Sequence, residues 1–371
     1  MYIGLIAHFR GPKLGIGQYL ERLLPPLVAA LEAKEMKVKI LASPNAIEKT
    51  AALKELKDYV SVIPALDYSP TKRYLWFFSN FASCCREAGI TKVVFLSNPI
   101  VLPWHPPTVA VIHDVNEWKT GDKYGSTLKT KLRSLIYLDA SINFAKKIIT
   151  VSQLTKKDLL YFRPNAKLKE KSIAIPNGSD SSLVDLPPVS IPAPEKPFIL
   201  SVGRIDPAAK RLFEAVNLVA AIREESGRDW ELHLVGGLNK STQSAGEEFL
   251  KALDKISWAT YHGHVDDRAL AEWYRRCQGV VYLSDNEGFG FPIAEAVSFG
   301  RWAIVSDRNF AAIEAGGDAP IAIDPKDSRA AAVKILQKFN SNQAPMVNLQ
   351  TWVSAAEAYT NVISLLNEEV K

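Results

Sequence analysis

Short, almost uninterrupted apolar runs recur along the chain, each followed by a turn. After the turn, apolar residues return every three or four positions. Residues 2–7, 108–112, 198–202 and 279–283 are such runs and read as buried strands. The helical period follows over residues 18–33 and 212–225, and it opens again from Ile293 to Ser298. A further helix is expected after Val151 and Ser152, and residues 353–370 predict a final one. Strands alternating with helices in this way predict parallel α/β sheets. Between Leu186 and Pro197 stand five prolines, at 187, 188, 192, 194 and 197, which predict a semi-rigid extended linker. They divide the chain into domains at residues 1–190 and 191–350, and leave residues 351–371 for the final helix. A length of 371 residues suits two such domains.

The most specific chemistry lies between Ser284 and Glu295. Glu287 and Glu295 stand eight positions apart, with Gly288, Phe289, Gly290, Phe291 and Pro292 between them. Glu287 is expected in the loop at the carboxyl end of a strand and Glu295 about one turn into the helix that follows. That edge of an open α/β sheet is where ligands bind. Gly288 and Gly290 permit positive φ and close approach of a ligand, and Pro292 suits a first helical turn. Carboxylates beside a helix N-terminus suit the gripping of hydroxyls better than of phosphate. The alternative is a helix-capping pair with no ligand.

A second strand-to-helix junction supplies positive charge. Gly203, Arg204 and Lys210 follow the strand at 198–202, and the two cations could reach one diphosphate. Lys210 is expected in an exposed turn, contributing to turnover and little to stability. The alternative is a solvated charged turn. His113 follows the strand at 108–112, where it either meets a ligand or bonds a nearby backbone carbonyl. Gly15 and Gly17 lie in the loop before the helix at 18–33, where bare N–H groups favour an anion or a sugar. That loop lacks the endings of a P-loop and of a dinucleotide fingerprint.

Together these residues resemble the retaining glycosyltransferases of family 4. The resemblance rests on the Glu-x7-Glu pattern of Glu287 and Glu295 and on the Gly203-Arg204 and Lys210 pair. It also rests on His113-Asp114, the Gly15-Ile16-Gly17 loop, Val151-Ser152, Pro176-Asn177-Gly178, residues 310–314 and Ile323-Asp324-Pro325. It implies the GT-B fold, two Rossmann-like α/β/α domains facing each other across a cleft, with the last helix crossing back to the N-terminal domain. By the same resemblance Glu287 binds the donor sugar's hydroxyls, Glu295 the ribose, and Arg204 and Lys210 the leaving diphosphate. Gly203, Gly288, Phe289 and Gly290 complete the donor site, while His113 and the Gly15–Gly17 loop close it from the N-terminal side. No metal or cofactor is required in such enzymes. Trp302 departs from the pattern, which usually has proline there. The His113-Asp114-Val115 form is similar to enzymes using mannose or rhamnose donors. The implied activity is transfer of a hexose from a nucleotide-diphosphate sugar to a hydroxyl of a saccharide or lipid-linked acceptor, in cell-surface polysaccharide or glycolipid synthesis. A catalytically silent nucleotide-binding partner subunit and a nucleotide-sugar epimerase remain alternatives.

Composition adds the setting. The chain is 47% hydrophobic and 23% charged, as soluble globular proteins are. No run reaches the ~20 apolar residues of a membrane span, and no signal peptide is read at the start. Cys84, Cys85 and Cys277 form no disulfide framework or metal spacing, which fits a cytoplasmic location. His262 and His264 invite a metal reading but have no third ligand nearby, so no metal is expected. Residues 1–190 hold 26 Lys and Arg against 16 Asp and Glu, or +10, while the remainder is −5. Residues 119–171 carry 13 basic and 4 acidic residues. This block faces either anionic lipid or a phosphorylated acceptor, placing the protein peripherally on the inner membrane face, or merely solvent. The aromatic run at Tyr74, Trp76, Phe77 and Phe78 reads as core or as a contact for an acyl chain. Nucleic acid is not expected as a partner, because no recognised binding module accompanies the charge.

Overall fold

The computed structural model describes residues 1–9, 15–115, 118, 138–192, 195–238, 242–284, 287–341 and 350–366. The chain divides into two compact units, Met1–Gly178 with Gln350–Lys371, and Ser179–Leu349.

The first unit is built on seven parallel strands: β1 (Tyr2–Ala7), β2 (Lys37–Ala42), β3 (Val60–Val62), β4 (Ile90–Phe95), β5 (Thr108–Ile112), β6 (Lys147–Thr150) and β7 (Ser172–Ala174). They lie in the order β3-β2-β1-β4-β5-β6-β7. Because β1 pairs with both β2 and β4, the chain leaves it in opposite directions and a crevice opens at the carboxyl ends. One core is filled by Ile6, Leu41, Phe77, Phe81, Phe95, Ile112 and Ile148. Phe77 is buried in it, whereas Leu75 and Phe78 of the same aromatic run are exposed.

The first helix, Gly15–Glu32, buries Tyr19, Leu20, Leu23, Leu24, Leu27, Val28 and Leu31, a stripe of helical period. It begins earlier than the pattern at 18–33 suggests, so Gly15 and Gly17 form its first turn and not a preceding loop. The C-terminal helix, Trp352–Leu365, packs against it, and the Tyr19 hydroxyl donates to that of Tyr359 at 2.9 Å. A capping box of Thr351 and Ser354 sets its start. It ends at Leu365, short of the expected 370, and residues 367–371 lie outside those described.

The second unit has six parallel strands: β8 (Phe198–Val202), β9 (Glu231–Val235), β10 (Ala259–Tyr261), β11 (Gly279–Tyr282), β12 (Trp302–Ser306) and β13 (Pro320–Ile323). Their order is β10-β9-β8-β11-β12-β13. One core packs Leu212, Leu218, Ile222, Phe249 and Ile335 from three helices against the sheet. The opposite core packs Trp273, Tyr274, Ile293 and Ala296 against its other face. Trp302, the departure from the resembled pattern, opens β12 half-buried after Gly300, whose φ of 64° turns the chain.

The division falls between Gly178 and Ser179, ahead of the proline-rich segment and not at residue 190. The physical reason is a set of contacts that tie residues 179–186 to the second unit. The Ser179 hydroxyl donates to the Ala315 carbonyl at 2.8 Å, and Ser298 Oγ to the Ser179 carbonyl at 2.7 Å. Leu183 is buried among the second core, and the Arg275 guanidinium donates to the carbonyls of Val184 and Leu186. Composition shows where a chain is extended, and these bonds show to which body it adheres.

Gly178 tests the seating of the C-terminal helix. A Cβ there would stand 2.4 Å from the Trp352 backbone nitrogen and 2.5 Å from its Cγ. Gly178→Ala is expected to lower the unfolding free energy by about 1–3 kcal/mol, the usual cost of overpacking. Thermal denaturation followed by near-UV circular dichroism would report it, and an unchanged midpoint would show the helix free to shift.

Candidate functional site

In the second unit β8 lies between β9 and β11, so the switch point of this sheet is bounded by the turns that follow β8 and β11. After β8 the chain passes Gly203 at φ 145°, with Gly203 N–H donating to Val235 O at 2.9 Å. A Cβ on neighbouring Gly236 would stand 1.9 Å from Gly203 O, so the two strand ends approach as closely as glycine permits. Asp206 then caps the turn, its Oδ1 accepting from Ala209 N–H at 3.2 Å. Arg211 takes a left-handed conformation at φ 49° before the Leu212–Ser226 helix begins. Arg204 is exposed, and Lys210 is not: its side chain is 15% exposed.

Lys210 meets the turn after β11. Its ammonium donates to Glu287 Oε1 and, at 2.9 Å, to the Tyr282 hydroxyl, and it lies 4.6 Å from the centre of the Tyr282 ring. Burial pulls the Lys210 ammonium toward neutrality, but Tyr282 and the Glu287 carboxylate more than reverse this and hold it well above the ordinary lysine value. Burial pushes the Tyr282 phenol up to about 12, against the opposing pull of Lys210. Tyr282 therefore stays protonated at neutral pH. Glu287 Oε1 also accepts from Ser284 Oγ at 2.9 Å, while the Glu287 side chain keeps 24% of its surface exposed.

Past Glu287 the chain turns at Gly290, whose φ is 120°; of the two glycines named for positive φ, Gly290 takes it. A Cβ at Gly290 would stand 3.1 Å from Ala312 Cα, so the start of the Phe291–Ser298 helix presses against the Phe310–Gly316 helix. Phe289 is buried beside Phe291 at 5.3 Å between ring centres, with Gly288 leading into it. Glu295 lies one turn into the helix, 2% exposed, and its Oε2 accepts from the Tyr274 hydroxyl at 2.8 Å. A buried carboxylate needs such a donor.

In the first unit His113 follows β5, and its Nε2–H donates to the Leu96 carbonyl at 2.8 Å. The backbone-bonded reading of this histidine thus holds for Nε2. Burial lowers its pKa, offset in part by Leu96 and Asp114, so the ring is neutral at pH 7. Tyr19, from the helix that Gly15 opens, packs edge-on against it with ring centres 4.6 Å apart. Leu96 follows β4, so His113 and the Gly15–Gly17 turn both lie at the switch point of the first sheet.

One expectation is corrected. Lys210 is a half-buried ion-pair partner and not an exposed turn lysine, because the left-handed Arg211 ends the turn and Tyr282 covers the ammonium. The His262 ring bonds His233 at 2.8 Å, and His233 in turn bonds Glu231 at 3.1 Å. Lys129 and Lys131, in the basic block, lie outside the described residues. Sequence reasoning missed Tyr282, Tyr274 and Asn309. Asn309 is readable in sequence only as a helix cap, and no local pattern marks the hydroxyl partners of the two tyrosines.

Residues 186–351 match the glycosyl transferases group 1 family. The O-antigen chain mannosyltransferase B of Escherichia coli is 26% identical over 215 residues, covering 55% of this chain and 54% of that protein. The chain thus spans about half the length of that relative. Among solved structures, Anabaena HepE in complex with UDP and glucose is 16% identical, covers 100% of this chain and 99% of its own, and superposes with a TM-score of 0.64. WaaG, a glycosyltransferase involved in lipopolysaccharide biosynthesis, is 13% identical with 99% and 98% covered and a TM-score of 0.62. These likenesses show the GT-B fold of two parallel-sheet α/β domains.

Lys210→Ala strands the Glu287 carboxylate and is expected to cost about 1–3 kcal/mol of stability. The raised Lys210 pKa means that the pair's contribution is complete below the ordinary lysine value of about 10.4 and is lost only as pH rises through the higher folded value. The destabilisation should therefore be equal at pH 7 and pH 8.5 by denaturant titration. Adding Glu287→Gln to Lys210→Ala should recover much of the loss; a double variant as weak as the sum of the singles would contradict the pairing.

Proposed function

We propose, from the premise that residues 186–351 belong to the glycosyl transferases group 1 family, that this chain is a retaining hexosyltransferase. It moves a hexose, with mannose or rhamnose favoured by the His113-Asp114-Val115 form, from a nucleotide-diphosphate sugar to a hydroxyl of a saccharide or lipid-linked acceptor, in cell-surface polysaccharide or glycolipid synthesis. The observation that carries the reading is the cluster of Lys210, Tyr282 and Glu287 at the switch point of the second sheet. It sets a permanent cation beside an acceptor of hydroxyl hydrogen bonds, which matches a diphosphate joined to a sugar. The E. coli mannosyltransferase and the UDP and glucose of the HepE complex support the donor class.

In this reading Glu287 orients the sugar through its exposed side and Lys210 faces the diphosphate together with Arg204, which is exposed and unpaired among the described residues. Both cations stabilise charge that develops on the leaving group. Tyr282 keeps the ammonium aimed while staying protonated itself. Glu295, steadied by Tyr274, takes the ribose, and the glycines at 203, 288 and 290 let the donor lie against backbone. In the first unit His113, neutral and fixed through Nε2, and the turn of Gly15 and Gly17 lie at the switch point of their own sheet. Transfer proceeds on one face of the sugar, the leaving phosphate helping to deprotonate the acceptor. Arg204 and Lys210 supply the charge neutralisation for which other transferases use a metal.

The donor reading is tested by thermal-shift screening of nucleoside diphosphates and their sugars. A ligand at 100 times its dissociation constant adds roughly 2.7 kcal/mol. Stabilisation by a nucleotide sugar, with release of its diphosphate on adding acceptor, is the expected result. Binding without turnover would favour a silent partner subunit, and an altered sugar formed without acceptor would favour an epimerase. Transfer should survive excess EDTA, and a loss restored by Mn²⁺ or Mg²⁺ would refute metal independence. Lys210→Ala should lower turnover about 10²–10³-fold, as loss of one donor to developing charge does.

The acceptor side rests on the +10 charge of residues 1–190. No helix among the described residues is long and apolar enough to cross a membrane. We place the first unit against the anionic cytoplasmic face of a membrane bearing a lipid-linked acceptor. Exposed charges act over a Debye length of ~8 Å at physiological salt. Binding to vesicles containing anionic lipid should accordingly weaken steeply as salt rises, and neutral vesicles should bind poorly. Indifference to anionic vesicles at low salt would make a small soluble acceptor the better reading.

A further inference from the structure

Asn309 stands in the turn after β12, fully buried, and no role in the donor site falls to it from the chemistry above. Its amide is oriented unambiguously. Oδ1 accepts from Ala312 N–H at 3.1 Å, capping the Phe310–Gly316 helix, so Nδ2 is the group that faces Ser284. Nδ2 donates to the Ser284 carbonyl at 2.7 Å and approaches Ser284 Oγ at 3.3 Å. Ser284 is 1% exposed and its Oγ lies 2.9 Å from Glu287 Oε1. With Asn309 donating to it, the Ser284 hydroxyl has one direction left for its proton, toward Glu287. The bonds therefore run in one sense from the cap of one helix to the carboxylate, and each polarises the next.

Resting on the donor site proposed above, we infer that Asn309 is a positioning residue: acting through Ser284, it fixes the rotamer of the sugar-binding carboxylate Glu287. Lys210 and Ser284 both grip Oε1. The ammonium supplies attraction with little directional demand, since its three donors rotate on a flexible stem. The hydroxyl supplies direction, because its backbone is pinned by the Asn309 amide. Loss of that direction would leave the ion pair formed and the carboxylate swinging about it. The same turn holds the Phe310–Gly316 helix, so a shift in that helix would reach Glu287 along this route.

Two variants separate positioning from folding. Ser284→Ala removes the hydroxyl. Asn309→Asp keeps a capping oxygen for Ala312 but replaces the donor that fixes Ser284, and its carboxylate offers the Ser284 proton another acceptor. Each is expected to lower kcat/KM about tenfold, short of the 10²-fold that a misplacement of about 1 Å can cost. Each should weaken GDP-mannose or UDP-glucose about fivefold, one ordinary hydrogen bond, while GDP or UDP binds as before. A purely structural lesion would weaken the sugar nucleotide and the bare nucleotide alike. If the route passes through Ser284, the double variant should be no worse than the worse single one. Losses that multiply, or an unchanged ratio of sugar-nucleotide to nucleotide affinity, would overturn the inference. Should no nucleotide bind the wild-type chain, the donor reading fails, and crystal structures of the Ser284→Ala and wild-type chains still decide the positioning. Glu287 displaced in the variant upholds it, and Glu287 in the same rotamer in both overturns it.

Discussion

The ion pair between Lys210 and Glu287 is the constraint on which the second unit's site depends. Two opposite charges, each less than a quarter exposed, come from segments 77 positions apart in the chain. Neither would be stable there alone, since an unpaired charge at that depth forfeits its hydration. Their meeting requires β8 and β11 to be neighbours, so that the turns at their carboxyl ends open onto the same crevice. It also requires local backbone conformations that few residues accept: φ of 145° at Gly203, 49° at Arg211 and 120° at Gly290. Tyr282 closes the arrangement by lending the ammonium both a hydroxyl and a ring face.

The two units use the same sheet logic to different chemical ends. In each, the strand that begins the sheet lies inside it, flanked by the strand that follows and by one reached after a crossover. At the switch point of the first unit the described contacts centre on a neutral ring. His113 is held by a carbonyl and by the edge of Tyr19, and Tyr19 is held by Tyr359 from the C-terminal helix. The second lines its own with charge and with hydroxyls that orient charge. A neutral ring suits contact with sugar hydroxyls, and a cation with a directed carboxylate suits a sugar diphosphate. Burial pushes His113 toward neutrality, whereas Tyr282 and Glu287 hold Lys210 charged against the pull of its own burial.

Much of this was legible in the chain. Short apolar runs placed strands β1, β5, β8 and β11, and residues in the turns after them were named as site candidates because parallel sheets bind ligands at that edge. Glycine and proline spacing located the turn before the Phe291–Ser298 helix within two residues of its start. Less legible were the boundaries. Gly15 and Gly17 belong to a helix and not to a loop, and the prolines after residue 186 mark an extended segment that lies within the second unit.

What the sequence by itself determined was the periodicity, the parallel sheets it demands, and the inventory of charges at the strand ends. Those follow from interactions between residues a few positions apart, which a linear pattern records. Only the tertiary structure decided that Lys210 is half-buried, that Tyr282 and Tyr274 are donors or acceptors at the site as well as core, and that Asn309 reaches Glu287 through Ser284. The turn at Asn309 and the loop at Glu287 are local in sequence, but the 2.7 Å bond between Asn309 and Ser284 exists because β11 and β12 are paired. Contacts of that kind depend on which strands lie side by side, and strand order arises from the packing of the whole sheet.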